Sequence, residues 1–295
     1  MSGICKNRVV MVTGAGNGLG RSYALGFALE GAKVVVNDID EASAHKTVTE
    51  IQKLGGEGLV NTSDITNYDA CGKAIETVIA QFGDIHALVN NAGICRDKMF
   101  VNLTEQDWDQ VMQVHLKGHF CLSSHAAKHW RAQAKAGKEV NARIINTSSG
   151  AGLQGSIAQS NYAAAKGGIA TLTLVQAAEL GRYGITVNGL APSGRTQMTA
   201  DVFADMMKKP KDGSFDFFDP ANVAPLVVWL GSAASQKVNG KIFEVAGGKI
   251  SISDGWRTTA GLDKGSRWET QELTAAINKI LTSEVPPQPV YGAKT

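Results

Sequence analysis

The amino-acid sequence predicts a doubly wound α/β fold, with a mostly parallel seven-stranded sheet and helices on both faces. Three observations carry that expectation. Short runs rich in Val and Ile recur at wide intervals, and each is followed by a stretch of helical periodicity. The runs show no polar alternation, as strands buried on both faces require. Glycine is abundant, 33 of 295 residues, which suits many tight strand-to-helix turns.

In chain order the predicted strands are RVVMVTG (8–14), KVVVND (33–38), GLVNTSD (58–64), ALVNNAG (87–93), RIINTSS (143–149), ITVNGLAP (185–192) and KIFEVAGG (241–248). Helical patterns fall between them, as in LGRSYALGFALEG (19–31), YDACGKAIETVIAQFG (68–83) and the long amphipathic stretch through QVHLKGHF (113–120). Residues 1–250 read as one domain, interrupted at 193–222 by MTADVFADMM and the loop KKPKDGSFDFFDP. Residues 251–295 read as an extension with Trp256, Trp268, a helix over 270–281 and the stop PPQP, packing on the same domain or on an oligomer partner.

Composition narrows the class. Hydrophobic content of 43%, charged content of 19% and a net charge of +2 suit a globular protein and give no case for nucleic acid or a membrane surface. Cys5, Cys71, Cys95 and Cys121 form no CxxC pair and no zinc spacing, so they read as separate reduced thiols. The start MSGICKNRVVMVTG has no apolar run before a cleavage site, and no apolar stretch approaches the ~18 residues of a membrane span. A cytoplasmic protein is expected.

TGAGNGLG (13–20) leaves the first strand and opens the first helix. Glycines at such a bend let the backbone approach a pyrophosphate, and the helix N-terminus offers it free N–H donors. A ligand-free glycine turn is the bland alternative. A Walker A loop does not fit, because Ala15 and Arg21 stand where it needs glycine and lysine. Asp38, at the end of the second strand, can accept hydrogen bonds from an adenosine ribose and repel a 2′-phosphate. It or Asp40 could instead simply cap the following turn. No arginine stands at 15–17 or just after Asp38, so NAD is expected over NADP. In NYAAAKGG (161–168), Tyr162 and Lys166 lie at i and i+4 on one helical face. A nearby ammonium favours phenolate and makes tyrosine a usable proton acceptor.

Together with NNAG (90–93), Asp64-Ile65, Ser149, Asn188 and Pro192, these motifs resemble the short-chain dehydrogenase/reductase family over residues 5 to about 250. The resemblance implies a Rossmann fold with Tyr162 as general acid/base. It implies that Lys166 holds the nicotinamide ribose and depresses the tyrosine pKa. Ser149, or less readily its neighbour Ser148, would hold the substrate oxygen. Gly14, Asn17, Gly18, Leu19 and Gly20 would cradle the pyrophosphate, and Asp64 and Ile65 would meet adenine. Asn91, Ala92, Gly93 and Pro192 would line the cofactor, with Thr196 or Thr199 on its carboxamide or phosphate.

One position departs from the family pattern: VHLKG puts His115 where an asparagine is usual. VHLKGHF, NAGICRDKMF, LTEQDWDQV, NVAPLVVWL and GKIFEVAGG are similar to a subgroup, the (3R)-hydroxyacyl-CoA dehydrogenase domains of peroxisomal multifunctional enzymes of type 2 and their stand-alone bacterial relatives. There the histidine is ordinary. His115 then reads as a site-lining group, with plain packing beside Trp108, Val111 and Met112 as the alternative. A metal is not expected, because His115 and His125 are ~15 Å apart along a helix and lack carboxylate or thiolate partners at matching positions. His119, His125 and His129 read as packing or surface residues.

The expected activity is NAD-dependent interconversion of a secondary alcohol and a ketone, with a (3R)-3-hydroxyacyl-CoA of fatty or steroid type as substrate. A free steroid alcohol or a 3-oxoacyl thioester of a carrier protein is the alternative substrate. A non-catalytic NAD-sensing protein would have no need of Ser149, Tyr162 and Lys166. Met198, Val202, Phe203, Met206 and Met207 suit a lid over an apolar substrate, or bland packing. Lys208, Lys209 and Lys211 could meet coenzyme A phosphates or form a solvated loop. Ala163, Ala164, Gly167, Gly168 and Ala170, small residues on the helix of Tyr162, suit close packing between subunits of a homodimer or homotetramer.

Overall fold

The computed structural model describes residues 3–196, 207–256, 260–283 and 288–292. Its core is one sheet in the order β3-β2-β1-β4-β5-β6-β7-β8. The strands are β1 (Val9–Thr13), β2 (Lys33–Asn37), β3 (Glu57–Asn61), β4 (Ala87–Asn90), β5 (Ala142–Thr147), β6 (Ile185–Ser193), β7 (Ile242–Ala246) and β8 (Lys249–Ser253). The first seven pair in parallel, and β8 runs antiparallel to β7. The order reverses between β1 and β4. At such a switch point two crossovers leave in opposite directions and open a crevice at the strands' carboxyl ends.

The apolar strands alternate between two covered faces. Val10, Val12, Val34, Val36 and Val89 pack under α1 (Gly18–Leu29), α2 (Glu41–Lys53) and α8 (Ala224–Gly231). Val9, Met11, Val35, Leu88 and Ile144 pack under α3 (Tyr68–Phe82) and α5 (Gly118–Lys135). Each fully buried aliphatic side chain contributes on the order of 1.5–3 kcal/mol of transfer free energy. Trp130, the largest fully buried side chain, gives its indole N–H to the Ile85 carbonyl at 2.7 Å.

The remaining helices are α4 (Glu105–Met112), α6 (Gly150–Gln154), α7 (Ser160–Leu180) and α9 (Leu273–Ser283). Among the described residues no helix is long and apolar enough to cross a membrane. All four cysteines are free, and three of them are buried.

The sheet has one strand more than the sequence pattern predicts. Ala246 pairs with Lys249 across Gly247 and Gly248, and Gly247 has φ +55°, as a two-residue hairpin loop favours. KISIS then carries the sheet past residue 250, through Ser253. Most of the lid segment, Met198 to Met206, lies outside the described residues. Met207 is buried against the cleft.

Candidate functional site

A cleft of about 920 Å³ opens at the switch point. Its floor begins where β1 ends. Gly14 and Gly18 have φ +60° and +54°, a region that side chains with a Cβ rarely adopt. A Cβ on Gly20 would run into the Gly14 carbonyl oxygen and lie 2.6 Å from the Asn91 amide nitrogen. The loop and helix therefore touch backbone to backbone. Asn91 ties β4 to this bend by donating to the Thr13 carbonyl at 2.9 Å, while Thr13 Oγ1 accepts from the N–H groups of Asn91 and Ala92. Asn17 is the N-cap of α1 but makes no side-chain cap bond; its amide donates to Ser43 instead. The first N–H groups of the helix are thus left for a ligand.

Asp38 holds the loop from the other side. Its Oδ2 accepts from Gly16 N–H at 2.9 Å and its Oδ1 from Asp40 N–H at 3.0 Å. Capping of α2 falls to Asp40, which accepts from Ser43 N–H. Asp38 therefore braces a turn and also lines the cleft, and a carboxylate retains lone pairs for further donors. Asp38, Ile39, Asp64, Ile65 and Thr66 form this end of the cleft, and among the described residues no lysine or arginine lines it. Arg21, the nearest candidate along the chain, is paired with Glu50.

Ser149, Tyr162 and Lys166 meet at the opposite end. Lys166 is 2% exposed and its Nζ donates to the Thr147 carbonyl at 2.6 Å. The ammonium stands 5.5 Å from the centre of the Tyr162 ring. Burial lowers Lys166 to about 7. Burial is also the largest influence on Tyr162 and pushes it up, with Cys95 adding to the rise, while the Ser149 hydroxyl pulls it down. Burial thus raises Tyr162 where the resemblance implies depression. The physical reason is that desolvation acts on both partners and lowers Lys166 to about 7, so that only about half of its positive charge is present at neutral pH to offset the burial of the phenol.

The two serines have different surroundings. Ser148 is buried and donates to the Lys166 carbonyl at 2.8 Å. Ser149 caps α6, accepting from Ala151 N–H. Gly152 lets α6 lie directly on the Lys166–Gly167 backbone, where a Cβ would stand 2.5 Å from the Lys166 carbonyl carbon.

His115 is 1% exposed and sits in a π-helical turn (Gln113–Lys117) between α4 and α5. Its Nε2 lies 2.7 Å from the Ile94 carbonyl oxygen and 3.0 Å from the Ile94 nitrogen. Burial lowers it to about 3, with Lys166 acting in the same direction, so the ring is neutral. It meets the Tyr162 ring edge-on at 5.2 Å, and Gly93 has no Cβ to block the ring. His115 both lines the cleft and packs.

Its expected stripe is only partly met. Asp107, Val111, His115 and His119 face inward, whereas Trp108 is 37% exposed. The wide π turn keeps i+4 positions in one row and leaves Trp108 outside it. The other three histidines of this helical stretch have separate partners. His119 Nε2 accepts from Thr147 N–H, His125 meets the Tyr68 carbonyl, and His129 meets Asp84.

Every cofactor and catalytic residue expected from the sequence lines this cleft, including Pro192 and Thr196. Thr196 stands over Gly18, where a Cβ would lie 3.3 Å from its methyl group. Thr199 lies outside the described residues. Lys208, Lys209 and Lys211 do not line the cleft, and Lys249 does.

Several lining residues carry no motif. Cys95 lies beside Tyr162, its thiol pushed up to about 12 by burial. Asp97 accepts from Gln159 at 2.8 Å. Behind the lining, the buried Asn161 joins α7 to the Arg96 and Asp107 carbonyls. Tyr291 and Gly292 arrive from the far C-terminus. Only the asparagine had a local signal, standing next to the tyrosine.

A dinucleotide fits this arrangement: glycines leave room beside uncapped N–H groups, and a carboxylate waits one strand over. The comparisons agree. The short chain dehydrogenase family profile matches residues 8–207. The chain is 41% identical to the hydroxyacyl-CoA dehydrogenase ChsB1 of Mycobacterium tuberculosis, over 95% of this chain and 90% of that one. It is 39% identical to peroxisomal multifunctional enzyme type 2 of Mus musculus, covering 93% of this chain but 40% of that longer protein. A crystal structure of a short chain dehydrogenase from Mycobacterium avium superposes with a TM-score of 0.91 at 50% identity, covering 99% of this chain and 100% of that one. With fold, cleft and sequence in agreement, the chain belongs to the short-chain dehydrogenase/reductase family and is an oxidoreductase of CH–OH groups that uses a nicotinamide cofactor.

Proposed function

We propose that the protein is an NAD-dependent (3R)-3-hydroxyacyl-CoA dehydrogenase, interconverting the 3-hydroxy and 3-oxo forms of a fatty or steroid side-chain acyl-CoA. The observation that carries the reading is the convergence of Ser149, Tyr162 and Lys166 on a cleft whose far end is closed by Asp38. The names of the relatives from Mycobacterium tuberculosis and mouse support the acyl-CoA class.

Gly14, Asn17, Gly18, Leu19 and Gly20 would hold the pyrophosphate. Asp38 would hold the adenosine ribose, and Asp64 and Ile65 the adenine. Asn91, Ala92, Gly93, Lys166, Pro192 and Thr196 would line the nicotinamide half. When bound, the nicotinamide supplies the hydride acceptor. Tyr162 takes the proton of the substrate hydroxyl during oxidation and returns it during reduction. Ser149 donates to the same oxygen and orients it. Lys166, poised near 7, can carry the positive charge that offsets the phenolate. His115 holds Ile94 against this centre, so its place is that of a positioning residue.

Residues 1–250 form the catalytic body in this reading, with 251–295 as an extension and the cytoplasm as the place of action. Assembly as a dimer or tetramer is part of the proposal. An apolar groove lined by Met112, Leu116, Phe120, Leu172 and Val175 lies open between α4–α5 and α7. Leu273, Ile277 and Leu281 are exposed along α9 at i, i+4 and i+8. The small face of α7 is partly used within the chain, since Gly167 lies against Gly152 and Gly168 against Leu116. Sedimentation at micromolar concentration checks this, and a monomer would remove the assembly.

The deciding experiment pairs (3R)- and (3S)-3-hydroxyacyl-CoA with NAD and with NADP. The expected result is strong (3R) preference, with NAD favoured at least about tenfold in kcat/KM, which is about 1.4 kcal/mol. Preference for (3S), or indifference to the CoA moiety, removes the substrate assignment. Equal use of NADP removes the role given to Asp38.

A further inference from the structure

The C-terminal residues 288–292 lie beside the catalytic end of the cleft, far in sequence from everything they touch. Tyr291 N–H donates to the Gly155 carbonyl at 3.2 Å, and Ile157 N–H donates to the Tyr291 carbonyl at 2.9 Å. Ser156 and Tyr291 form a parallel bridge. The chain end is therefore joined, strand-fashion, to the loop that connects Ser149 with Tyr162.

Two glycines in that loop form the seat. A Cβ on Gly155 would lie 3.3 Å from the Val290 methyls, and Gly155 has φ +85°. A Cβ on Gly150, the residue after Ser149, would lie 2.8 Å from the Tyr291 hydroxyl and 3.0 Å from its ring. The Tyr291 ring thus occupies space directly over the Ser149–Gly150 corner and lines the cleft. It is 47% exposed, and among the described residues nothing is hydrogen-bonded to its hydroxyl. A ring so placed excludes volume at the substrate end and does nothing for the fold's core.

We propose that Tyr291 is a specificity-determining residue: held by its backbone on Gly155 and Ile157, its ring walls the substrate end of the cleft and limits the bulk accepted beside the reacting carbon. This rests on the Proposed function only in taking that end as the substrate's. Tyr291 sits on Gly150, Gly155 and Ile157, none of them a residue assigned to the cofactor, so the tail selects substrates without setting cofactor affinity.

The test compares the wild type with Tyr291→Ala, Tyr291→Phe and a chain ending at Gln288. Each is assayed on a short and a bulky (3R)-3-hydroxyacyl-CoA and on a small and a bulky free secondary alcohol. Cofactor binding is followed by fluorescence, and the Ile157 amide by hydrogen exchange. Tyr291→Ala and the shortened chain are expected to raise the bulky-to-short ratio of kcat/KM at least about fivefold. Tyr291→Phe, which keeps the ring, is expected to leave that ratio within about twofold, with cofactor affinity unchanged in all three.

A ratio unchanged in both Tyr291→Ala and the shortened chain overturns the proposal. So does an equal loss on short and bulky substrates together with lost Ile157 protection, which would make the tail only a brace for the loop. If the wild type ignores acyl-CoA but oxidises the free alcohols, the substrate assignment above fails. The ratio measured on the alcohol pair then still decides the role of Tyr291.

Discussion

At the adenine end of the cleft, Gly16, Asp38 and Ser43 lie on one continuous stretch from the end of β1 to the start of α2 and touch one another. At the catalytic end, Ser149 and Tyr162 share a wall with Cys95, His115 and Tyr291, which come from separate parts of the chain. The first end is built from backbone: positive-φ glycines, an uncapped helix start and a carboxylate bonded to main-chain N–H groups. The second is built from side chains, with Lys166 and His115 buried among them, and the titrations of Cys95, Tyr162 and Lys166 act on one another. A backbone cradle can hold a common cofactor unchanged, while side chains from distant segments can be exchanged to suit a substrate.

The contrast breaks most sharply at Tyr162. Tyr162→Phe keeps the ring and removes the proton-transfer group, so kcat is expected to fall about 10²- to 10⁴-fold. Cofactor affinity should hold, because the glycine loop is untouched. Near-wild-type turnover on the best substrate would take the tyrosine out of the chemistry.

Gly20→Ala probes the other end. The new Cβ meets the Gly14 carbonyl and the Asn91 amide, and overpacking of this kind costs about 1–3 kcal/mol. The expected signature is a lower Tm with weakened cofactor binding. Unchanged binding would show that the loop can shift without cost.

Titration separates the two ends without changing shape. Lys166 is lowered from its model-compound value of 10.5 to about 7 in the folded chain. Between those pH values the unfolded chain binds more protons than the folded one. The Lys166 contribution to stability should therefore rise with pH across that window and fall back as pH drops toward 7, and it is read below pH 9, where the buried cysteines do not yet oppose it. The slope contributed by one such group is at most about 1.4 kcal/mol per pH unit. Lys166→Met should flatten it in urea titrations, and an unaltered slope would assign the dependence to other groups.

The smallest effect is expected at the hairpin. Gly247→Ala forces an alanine into positive φ and against the Phe217 ring, at a cost of roughly 1–2 kcal/mol. Cofactor affinity should not change, as this hairpin lies on the far side of β6 from the glycine loop. A loss of cofactor binding here would show the two ends to be coupled through the sheet.

Legibility in the sequence follows the same division. TGAGNGLG, Asp38 and YAAAK could be read because each needs residues only a few positions apart, and local backbone chemistry dictates them. The doubly wound class followed from the alternating β and α patterns, whereas the strand order that sets the switch point came only from the structure, because the same alternation serves more than one order. Tyr291 could not be read, because its seat is Gly150 and Gly155 and no periodicity links them. Trp108 was misplaced because periodicity assumes an unbroken α-helix, and the π turn alters the row. The strand β8 had a signal in AGGKISIS, yet its exposed Ile250 and Ile252 make it unlike the buried parallel strands that set the pattern.

His115 and Ile94 raise a matter of arithmetic. One ring nitrogen faces both the N–H and the C=O of the same residue, and a neutral nitrogen either carries a hydrogen or offers a lone pair. One of the two bonds is made at any instant, and Nδ1, buried with no partner among the described residues, takes whatever state is left. An asparagine amide presents a donor and an acceptor side by side and could answer both. The imidazole has to choose, and because burial keeps it uncharged the choice is between two tautomers of equal charge. Such a switch is silent in a pH titration around neutrality, yet it is open to ¹⁵N chemical shifts of the ring, which distinguish a bound hydrogen from a lone pair.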